Sequence, residues 1–255
     1  MEQITSTKNA IVKKLQSLRD KKGRAEHARM LVEGEKLVLE ALRENLACDV
    51  VLMEESFLPR LAPVLAEKGI AVFTVPRHII ESISDTKTPQ GVCGAFALPE
   101  MFTLDNAPER IVALDGVQDP GNVGTIWRTA DAAGFTGILF GAGSADRLST
   151  KVQRATMGSG LRLRAMETDD LADTLRRFRE MGYTVYASSL QGDDFYSRPQ
   201  GSGRSILVIG NEARGISQQV ADAADVLVKL PMRGGAESLN ASVAAGIMMY
   251  EMMRG

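Results

Sequence analysis

The sequence has few of the residues that hold metals or cross-link small proteins. Its 255 residues include only two cysteines and two histidines. Cys48 and Cys93 have neither metal-ligand spacing nor a partner motif, and His27 and His78 lie outside any cluster. We therefore expect no metal site, and a reduced, cytoplasmic setting fits the cysteines best.

Long apolar segments and the common nucleotide-binding motifs are also missing. No run of about 18 apolar residues occurs, and residues 1–16 contain no apolar segment of the kind found in signal peptides, so we expect neither a membrane span nor a signal peptide. The sequence contains no G-x-G-x-x-G motif after a predicted strand, no G-x-x-x-x-G-K-[ST] loop and no H-E-x-x-H motif. An enzyme built on this chain would have to bind its ligand with another kind of loop.

The clearest break in the sequence is residues 97–110, which carry two prolines and lose hydrophobic periodicity. We interpret this segment as a linker between a smaller domain, residues 1–105, and a larger one, residues 106–255. Strands and helices alternate in the first domain, which predicts a small α/β sandwich that begins with one basic helix at about residues 8–22.

Short apolar strands alternate with helices in the second domain, which predicts a parallel sheet covered on both faces. Ligands of such sheets bind at the carboxyl ends of the strands, so the loops after the strands are the candidate site. The predicted strands are 111–114, 137–140, 184–187, 206–209 and 226–230. The predicted helices are 122–133, 148–157, 170–181, 216–224 and 239–254.

The positive charges are clustered, although the net charge of −2 argues at first against a nucleic-acid partner. Residues 8–29 contain eight basic and two acidic residues, and residues 147–164 contain five basic residues and no acid. One such stretch is typical of a solvated helix face, whereas two in an acidic protein favour an anionic polymer such as RNA. The predicted RNA-binding residues are Lys13, Lys14, Lys21, Lys22, Arg147, Lys151 and Arg154.

The first candidate loop begins at Asp119 and runs through a Pro-Gly turn into a predicted helix. Asn122 is well suited to cap that helix. Gly124 and Arg128 are four residues apart and share one helical face, so the bare glycine backbone and the arginine would be presented together. Taken alone, the segment is equally compatible with a capped helix that carries an exposed arginine.

The second loop, residues 209–217, begins where a buried strand ends in Gly210. A glycine there lets the backbone approach a ligand closely, and Glu212 and Arg214 follow at the sheet edge. We expect Gly210→Val to block the pocket and leave the fold intact. Taken alone, this segment is also compatible with an ordinary strand-to-helix connection.

The third loop, residues 230–242, combines a strand end, a glycine-rich stretch and the start of a long apolar helix. Pro231 has no N–H to donate, so the strand must stop there. Ser238 is predicted to cap the helix, and Asn240 offers an amide beside the exposed backbone of the loop. Loops of this kind can hold a small polar ligand.

The three loops in this order resemble the signature motifs of the SpoU/TrmH family, the ribose 2′-O-methyltransferases of the SPOUT superfamily. The similarity covers about residues 110–254. Residues 31–34 with 37–42, and residues 88–91, resemble the substrate-binding domain that often precedes this catalytic domain. The motif residues are Asn122, Gly124 and Arg128, then Gly210, Asn211 and Glu212, then Leu230, Pro231, Met232, Ser238, Leu239, Asn240 and Ser242.

The resemblance implies a fold, a cofactor and an assembly. The fold is α/β, with a smaller α/β substrate-binding domain before a parallel-sheet catalytic domain that contains a trefoil knot. The family works as a homodimer, and the apolar helix at 239–254 suits an interface, although it is equally compatible with the core of a monomer. The implied cofactor is S-adenosylmethionine. The residues that would bind it are Ala187, Ser188, Ser189, Leu190, Ile209, Gly210, Leu230, Met232, Ser238 and Leu239.

The resemblance also assigns Arg128, Asn122, Glu212 and Asn240 to the catalytic centre. Arg128 would either hold a phosphate bidentately and orient the ribose, or accept the hydroxyl proton, which is unusual for a charged arginine. The two asparagines would position substrate and loop, and Glu212 would order Arg128 or the loops. Ribosomal RNA is the first expectation for the substrate and transfer RNA the second. A base-methylating enzyme and a non-catalytic RNA-binding protein are the alternatives.

Overall fold

Helices and strands alternate along most of the chain in the computed structural model, which describes residues 2–199 and 203–254. The helices are α1 Ala10–Ser17, α2 Lys21–His27, α3 Glu35–Arg43, α4 Leu58–Glu67, α5 Arg77–Ile83, α6 Pro120–Ala133, α7 Thr150–Thr156, α8 Ser159–Arg162, α9 Leu171–Glu180, α10 Gln218–Ala223 and α11 Ala241–Met252. The strands are β1 Arg29–Glu33, β2 Cys48–Met53, β3 Ala71–Thr74, β4 Val92–Ala97, β5 Arg110–Asp115, β6 Gly137–Gly141, β7 Arg164–Thr168, β8 Thr184–Asp194, β9 Ser205–Gly210 and β10 Val226–Lys229.

The chain forms two compact units. Unit 1 comprises Met1–Pro99 and Leu148–Leu161, and unit 2 comprises Glu100–Arg147 and Arg162–Gly255. The compact units therefore differ from the predicted division into 1–105 and 106–255. The first break comes a few residues earlier, and a later segment that contains α7 packs with unit 1.

Unit 1 is a mixed sheet with helices on both faces, as the alternating pattern predicts. The strand order is β1-β4-β2-β3, with β4 antiparallel to both β1 and β2 and with β3 parallel to β2. Residues of α1 and α5, such as Leu15 and Ile79, pack on one face. Residues of α3 and α4, such as Val38 and Leu61, pack on the other.

The single basic helix predicted for residues 8–22 is wrong, because two helices occupy this region. α1 ends at Ser17 and α2 begins at Lys21 after the extended Asp20. Gly23 makes the turn between them possible, since a Cβ at this position would lie 2.1 Å from the carbonyl oxygen of Ser17. The close approach of the two backbones requires a glycine.

The segment Leu148–Leu161 contributes apolar and polar contacts to unit 1. Leu161 belongs to the buried cluster around α3 and α4, and Leu148 packs against it. Arg154 Nη1 donates to Glu33 Oε2 at 3.3 Å and to Asp85 Oδ1 at 3.2 Å. Without this segment the buried Glu33 would lose its cationic partner, which is strongly destabilising in a protein interior.

We therefore expect a fragment of residues 1–105 to unfold without a cooperative thermal transition. A matched chimera, in which a flexible Gly-Ser linker joins residue 99 to residues 148–161, should unfold cooperatively. Circular dichroism melts of the two proteins measure this difference. Equal cooperative transitions in both would mean that the added segment is not needed for the stability of unit 1.

Unit 2 contains the predicted parallel sheet, which is confirmed. Its strand order is β10-β8-β9-β5-β6-β7, and each neighbouring pair is parallel. Buried residues of α9 and α10, including Phe178 and Val220, pack with one face. Trp127 of α6 packs against Phe140 of β6 at 5.2 Å between ring centroids, and α11 packs along α6. The edge strand β7 is an element that the apolar pattern does not predict.

Among residues 2–199 and 203–254, no helix has the length and apolar character needed to cross a membrane. The same residues contain no group of three or more His, Cys, Asp or Glu side chains arranged to hold a metal ion.

Candidate functional site

The residue that caps the start of α6 is not the one that the sequence predicts. The helix begins at Pro120, and the carboxylate of Asp119 caps it by accepting from the backbone N–H of Asn122 at 2.8 Å. Asn122 is therefore not the N-cap that the sequence predicts. Because Asp119 satisfies the helix start, the side chain of Asn122 is available for other contacts.

The residue that caps the start of α11 also differs from the predicted one. Asn240, rather than Ser238, caps this helix, and its Oδ1 accepts from the backbone N–H of Ser242 at 2.9 Å and from its hydroxyl at 2.6 Å. Serine and asparagine are both good N-caps, so composition alone does not choose between them. The amide nitrogen of Asn240 points away from the cap and has a different partner.

A chain of hydrogen bonds joins one side chain from each of the three loops. Asn240 Nδ2 donates to Asn122 Oδ1 at 3.0 Å, and Asn122 Nδ2 donates to Glu212 Oε1 at 2.9 Å. Glu212 also accepts from the backbone N–H groups of Gln118 and Asp119 at 3.3 and 3.2 Å. These hydrogen bonds therefore connect the three loops to one another.

These contacts determine the ionisation of Glu212. Partial desolvation opposes the charged form, but the hydrogen bond from Asn122 and those from backbone amides outweigh it, and they hold the pKa of Glu212 below its ordinary value. A carboxylate that accepts several donors keeps its charge and fixes their positions. Glu212 therefore binds the backbone at the start of α6 and the side chain of Asn122, and it makes no hydrogen bond or ion pair with Arg128 among the described residues.

Gly210 is required by the main chain of its own loop. A Cβ at Gly210 would lie 2.2 Å from the carbonyl carbon of Gly215 and 2.3 Å from the nitrogen of Ile216. The expectation that Gly210→Val would leave the fold intact is therefore wrong, because any side chain here displaces backbone. The loop closes through paired backbone hydrogen bonds of 2.9 Å between Asn211 and Gly215.

An open cleft of about 580 Å³ lies beside the three loops in unit 2. Nine of the ten predicted cofactor-binding residues line it, and the tenth, Ala187, is fully buried and does not. Residues 231–239, of which Met232, Ser238 and Leu239 line the cleft, form no helix or strand and make no backbone hydrogen bond within the described chain. The backbone N–H and C=O groups of the three lining residues are therefore available to a ligand. The lining residues among the ten are Ser188, Ser189, Leu190, Ile209, Gly210, Leu230, Met232, Ser238 and Leu239.

These features fit a nucleoside cofactor such as S-adenosylmethionine. The volume falls within the range of roughly 300–1,000 Å³ that small-molecule sites occupy. Apolar walls from Ile209, Leu230 and Met232 suit the faces of a purine ring, and the unpaired backbone groups suit its polar edge. Ser188 and Ser189 add hydroxyls on the strand side.

Arg128 lies apart from this cleft. It is exposed on α6, does not line the cleft, and has no hydrogen-bond or ion-pair partner among residues 2–199 and 203–254. Gly124, on the same helical face in the sequence pattern, is buried. The structure therefore brings together Asn122, Glu212 and Asn240, and leaves Arg128 free to meet a molecule outside its own chain.

The predicted RNA-binding cations fall into two groups. Lys13, Lys21, Lys22 and Lys151 are exposed. The other three are engaged within the protein. Lys14 pairs with Asp49 at 2.8 Å, Arg154 pairs with Glu33 and Asp85, and Arg147 is 4% exposed and lies 3.2 Å from Glu167. Because Arg147 is buried, it is not the surface cation that the prediction requires.

Asn211 is a residue of the site to which the sequence assigns no role. Its Nδ2 donates to the carbonyl of Gly116 at 2.8 Å, and its Oδ1 accepts from the backbone N–H groups of Ala213 and Arg214. Asparagine favours turns because its side chain hydrogen-bonds the backbone two residues further on, and this tendency is the sequence signal that could have indicated the role. Gln191 also lines the cleft, and no sequence signal marks it.

The parallel sheet and the cleft at its loops define an α/β ligand-binding unit, and comparisons with known proteins identify its family. Residues 109–250 match the SpoU rRNA Methylase family, and residues 9–94 match the MRM3-like substrate binding domain. The chain belongs to the SpoU rRNA Methylase family.

Relatives extend over the whole chain. It is 33% identical to the 23S rRNA (guanosine(2553)-2′-O)-methyltransferase RlmP of Bacillus subtilis, over 99% of each chain. An AdoMet-bound rRNA methyltransferase from Sinorhizobium meliloti has a TM-score of 0.87 and 35% identity, over 99% of this chain and 97% of that one. The SpoU methyltransferase AviRb from Streptomyces viridochromogenes, in complex with AdoMet, has a TM-score of 0.82 and 25% identity, over 97% and 98% of the two chains.

Proposed function

We propose that this protein transfers a methyl group from S-adenosylmethionine to a ribose 2′-hydroxyl of ribosomal RNA. The observation that carries the proposal is the hydrogen-bond chain Asn240–Asn122–Glu212, which joins the three family loops beside a cleft of suitable size. The similarity to a 23S rRNA 2′-O-methyltransferase over 99% of each chain supports the substrate class. An RNA substrate and unpaired cysteines both favour the cytoplasm as its location.

The residues of the chain supply positioning. S-adenosylmethionine, when bound, supplies an already activated methyl group. Glu212 and Asn122 fix the start of α6, and Asn240 fixes the start of α11 against it. Arg128, one turn or more along α6, is available to hold an RNA phosphate with its planar fork and so to orient the adjacent ribose.

The test is transfer of labelled methyl groups to ribosomal and transfer RNA from a host that lacks the modification. We expect the label in ribosomal RNA, at one nucleotide whose 3′ linkage has become resistant to alkali, since a 2′-O-methyl group blocks attack on the phosphate. Label in a base, label in transfer RNA alone, or no transfer would each contradict the proposal.

The finer architecture is also proposed. We infer that the chain after β10 passes through a loop to form the trefoil knot of the family. In support, β10 lies at the sheet edge beyond β8, whereas α11 packs on β9 and α6, so the chain between them returns from the edge toward the middle. The structural similarity to SpoU methyltransferases of known structure supports the same arrangement.

We further propose that the protein is a homodimer through α11. The apolar stripe of this helix is exposed at Val243, Ile247 and Tyr250, whereas its opposite side is buried. Leu239, just before the helix, is also exposed. A helix face of this kind favours an interface over the core of a monomer. Because Leu239 also lines the cleft, the partner would border the cofactor site.

We expect Ile247→Asp to weaken dimerisation roughly a hundredfold or more, because an unpaired charge would be buried twice in a symmetric interface. Sedimentation equilibrium measures the dissociation constant. The control is Met181→Asp, since Met181 is 38% exposed and Ile247 is 39% exposed, and Met181 lies outside α11. A dimer that is unchanged by Ile247→Asp would exclude α11 as the interface.

We propose that the exposed lysines of unit 1 contribute RNA affinity. Reversal of Lys13, Lys21 and Lys22 to Glu should weaken RNA binding and reduce its dependence on salt, by a slope of about 0.7 for each phosphate of single-stranded RNA that the protein no longer neutralises. Filter binding at several salt concentrations measures this, with the exposed Lys68→Glu as the control. Cofactor affinity should be unchanged. If the triple variant has the same RNA affinity and salt dependence as the parent protein, these lysines are solvated surface residues that do not contact RNA.

A further inference from the structure

A second cavity, of about 480 Å³, lies within unit 1 and has no part in the proposed methyl transfer. It forms between the start of α3 at Gly34 and the loop Thr86–Gln90, with Arg154 and Met157 contributed by the segment 148–161. These first two segments are the ones whose sequence resembles a substrate-binding domain. The structure shows that they share a cavity.

Glu33 supplies an unsatisfied acceptor in the wall of this cavity. Its side chain is 8% exposed. Its Oε2 accepts from the Ser84 hydroxyl at 2.8 Å and from Arg154 at 3.3 Å, whereas its buried Oε1 has no hydrogen-bond partner among the described residues. Burial raises the pKa of Glu33, against the opposing effects of Ser84 and Arg154. A ligand N–H directed at Oε1 would therefore relieve a desolvation cost.

The rest of the lining provides the other groups that a nucleotide requires. Leu37, Leu39 and Met157 form an apolar wall, on which the face of a base can pack. Lys36 lines the exposed side and has no ion-pair partner among residues 2–199 and 203–254, so it is available to a phosphate. A cavity with a buried acceptor and an exposed cation matches a ligand with N–H donors at one end and negative charge at the other.

Gln90 provides a second acceptor in the lining of the cavity and can move to admit a ligand. Its side-chain oxygen lies 2.4 Å from the position that a Cβ would take on Gly34, so it lies directly beside the residue that follows Glu33. Gln90 and Thr88 are exposed and have no side-chain hydrogen bond within the described chain. Both residues line the cavity, so these two side chains can rotate to admit a ligand without breaking a hydrogen bond.

We infer that this cavity binds one unstacked guanine nucleotide of the RNA substrate. Guanine presents two adjacent N–H donors beside a carbonyl oxygen on its Watson–Crick edge. The donors match the oxygens of Glu33 and Gln90, and the carbonyl matches the guanidinium of Arg154. Adenine places a ring acceptor where guanine places a donor, and uracil has a single ring N–H. The inference rests on the proposed RNA substrate but not on the methyl-transfer step.

Binding of free nucleotides to the full-length protein tests the cavity directly. The protein is saturated with S-adenosylhomocysteine to occupy the cofactor cleft, and GMP, AMP and UMP are then titrated by saturation-transfer NMR. We expect GMP to bind at least about tenfold more tightly than the other two nucleotides. Glu33→Gln should reduce GMP affinity by about tenfold, because an amide cannot replace the carboxylate acceptor without losing its bond to Arg154.

Thr88→Trp fills the cavity from an exposed position and keeps the test independent of the stability of Glu33 variants. It should abolish GMP binding, whereas the control Thr7→Trp, at another exposed threonine of unit 1, should not. Equal binding of the three nucleotides, or GMP binding that survives Thr88→Trp, would overturn the inference.

A kinetic measurement separates this inference from the proposed function. In multiple-turnover methylation, Thr88→Trp should raise KM for RNA at least about tenfold with kcat and cofactor affinity unchanged. A parent protein that binds GMP in the cavity but transfers no methyl group would contradict the proposed function and leave the cavity assignment supported. Active methyl transfer by a protein that does not prefer GMP would support the proposed function and contradict the cavity assignment.

Discussion

Arg128→Ala should reduce single-turnover methyl transfer by about a hundredfold or more, with little change in cofactor affinity. The structure supplies the reason for this separation. Arg128 is exposed on α6, lies outside the cleft and has no hydrogen-bond or ion-pair partner within the described residues. Its removal therefore breaks no internal interaction, and the rate loss would report a contact with RNA. Quench-flow transfer at saturating RNA and cofactor measures the rate, and calorimetry measures cofactor affinity.

Arg176→Ala is the matched control, because Arg176 is also an exposed helix arginine of unit 2 without a partner in the described structure. Arg128→Lys then distinguishes two roles. Lysine keeps the charge but loses the planar bidentate fork. Substantial activity would favour simple charge contact with a phosphate, and near-complete loss would favour geometric orientation of the ribose or direct proton handling. Transfer by Arg128→Ala at the parent rate would remove Arg128 from the catalytic centre.

The parallel sheet of unit 2 could be predicted because its central strands are buried on both sides. β5, β6 and β9 read as continuous apolar runs, which is typical of a sheet covered by helices. The edge strand β7 has the sequence RAMET and is only partly buried, so it carries no such run. The signal for a strand thus follows its burial, and it weakens at the sheet edge.

The local sequence could not predict which segments of the chain form unit 1. The segment Leu148–Leu161 follows a strand of unit 2 in the chain and has the helical pattern expected of that unit. The segment belongs to unit 1 because of contacts between residues far apart in sequence. Leu161 packs in the α3–α4 cluster, and Arg154 pairs with Glu33 and Asp85. Not all the positive charges of this segment are available to RNA, because Arg154 pairs with acidic residues of its own unit.

The site shows which parts of a motif the sequence can assign. The resemblance to the SpoU/TrmH family placed Asn122, Glu212 and Asn240 in one site. Their bonding could not be predicted, because Asp119, Asn122, Ser238 and Asn240 are all suitable helix caps and only the backbone decides which ones act. Once Asp119 and Asn240 cap the two helices, the side chain of Asn122 can connect Asn240 to Glu212.

Gly210→Ala should lower cofactor affinity by about tenfold or more. The added Cβ would lie 2.2 Å from the carbonyl carbon of Gly215, so the loop from Asn211 to Ile216 has to move. Forcing atoms into a closely packed backbone costs about 1–3 kcal/mol, and 1.4 kcal/mol corresponds to a tenfold change in affinity. Gly210, Gly215 and Ile216 all line the cleft, so the displacement alters its wall. Titration calorimetry with S-adenosylmethionine measures the loss.

The control for this prediction is Gly235→Ala in the neighbouring loop. A Cβ at Gly235 would meet nothing within 4 Å, and Gly235 does not line the cleft. The two variants make the same chemical change, so the difference between them reports the backbone contact at Gly210. A thermal melt of each variant shows whether the sheet has survived. If folded Gly210→Ala binds the cofactor as tightly as Gly235→Ala does, the loop tolerates the shift, and the geometry at the end of β9 does not control cofactor binding.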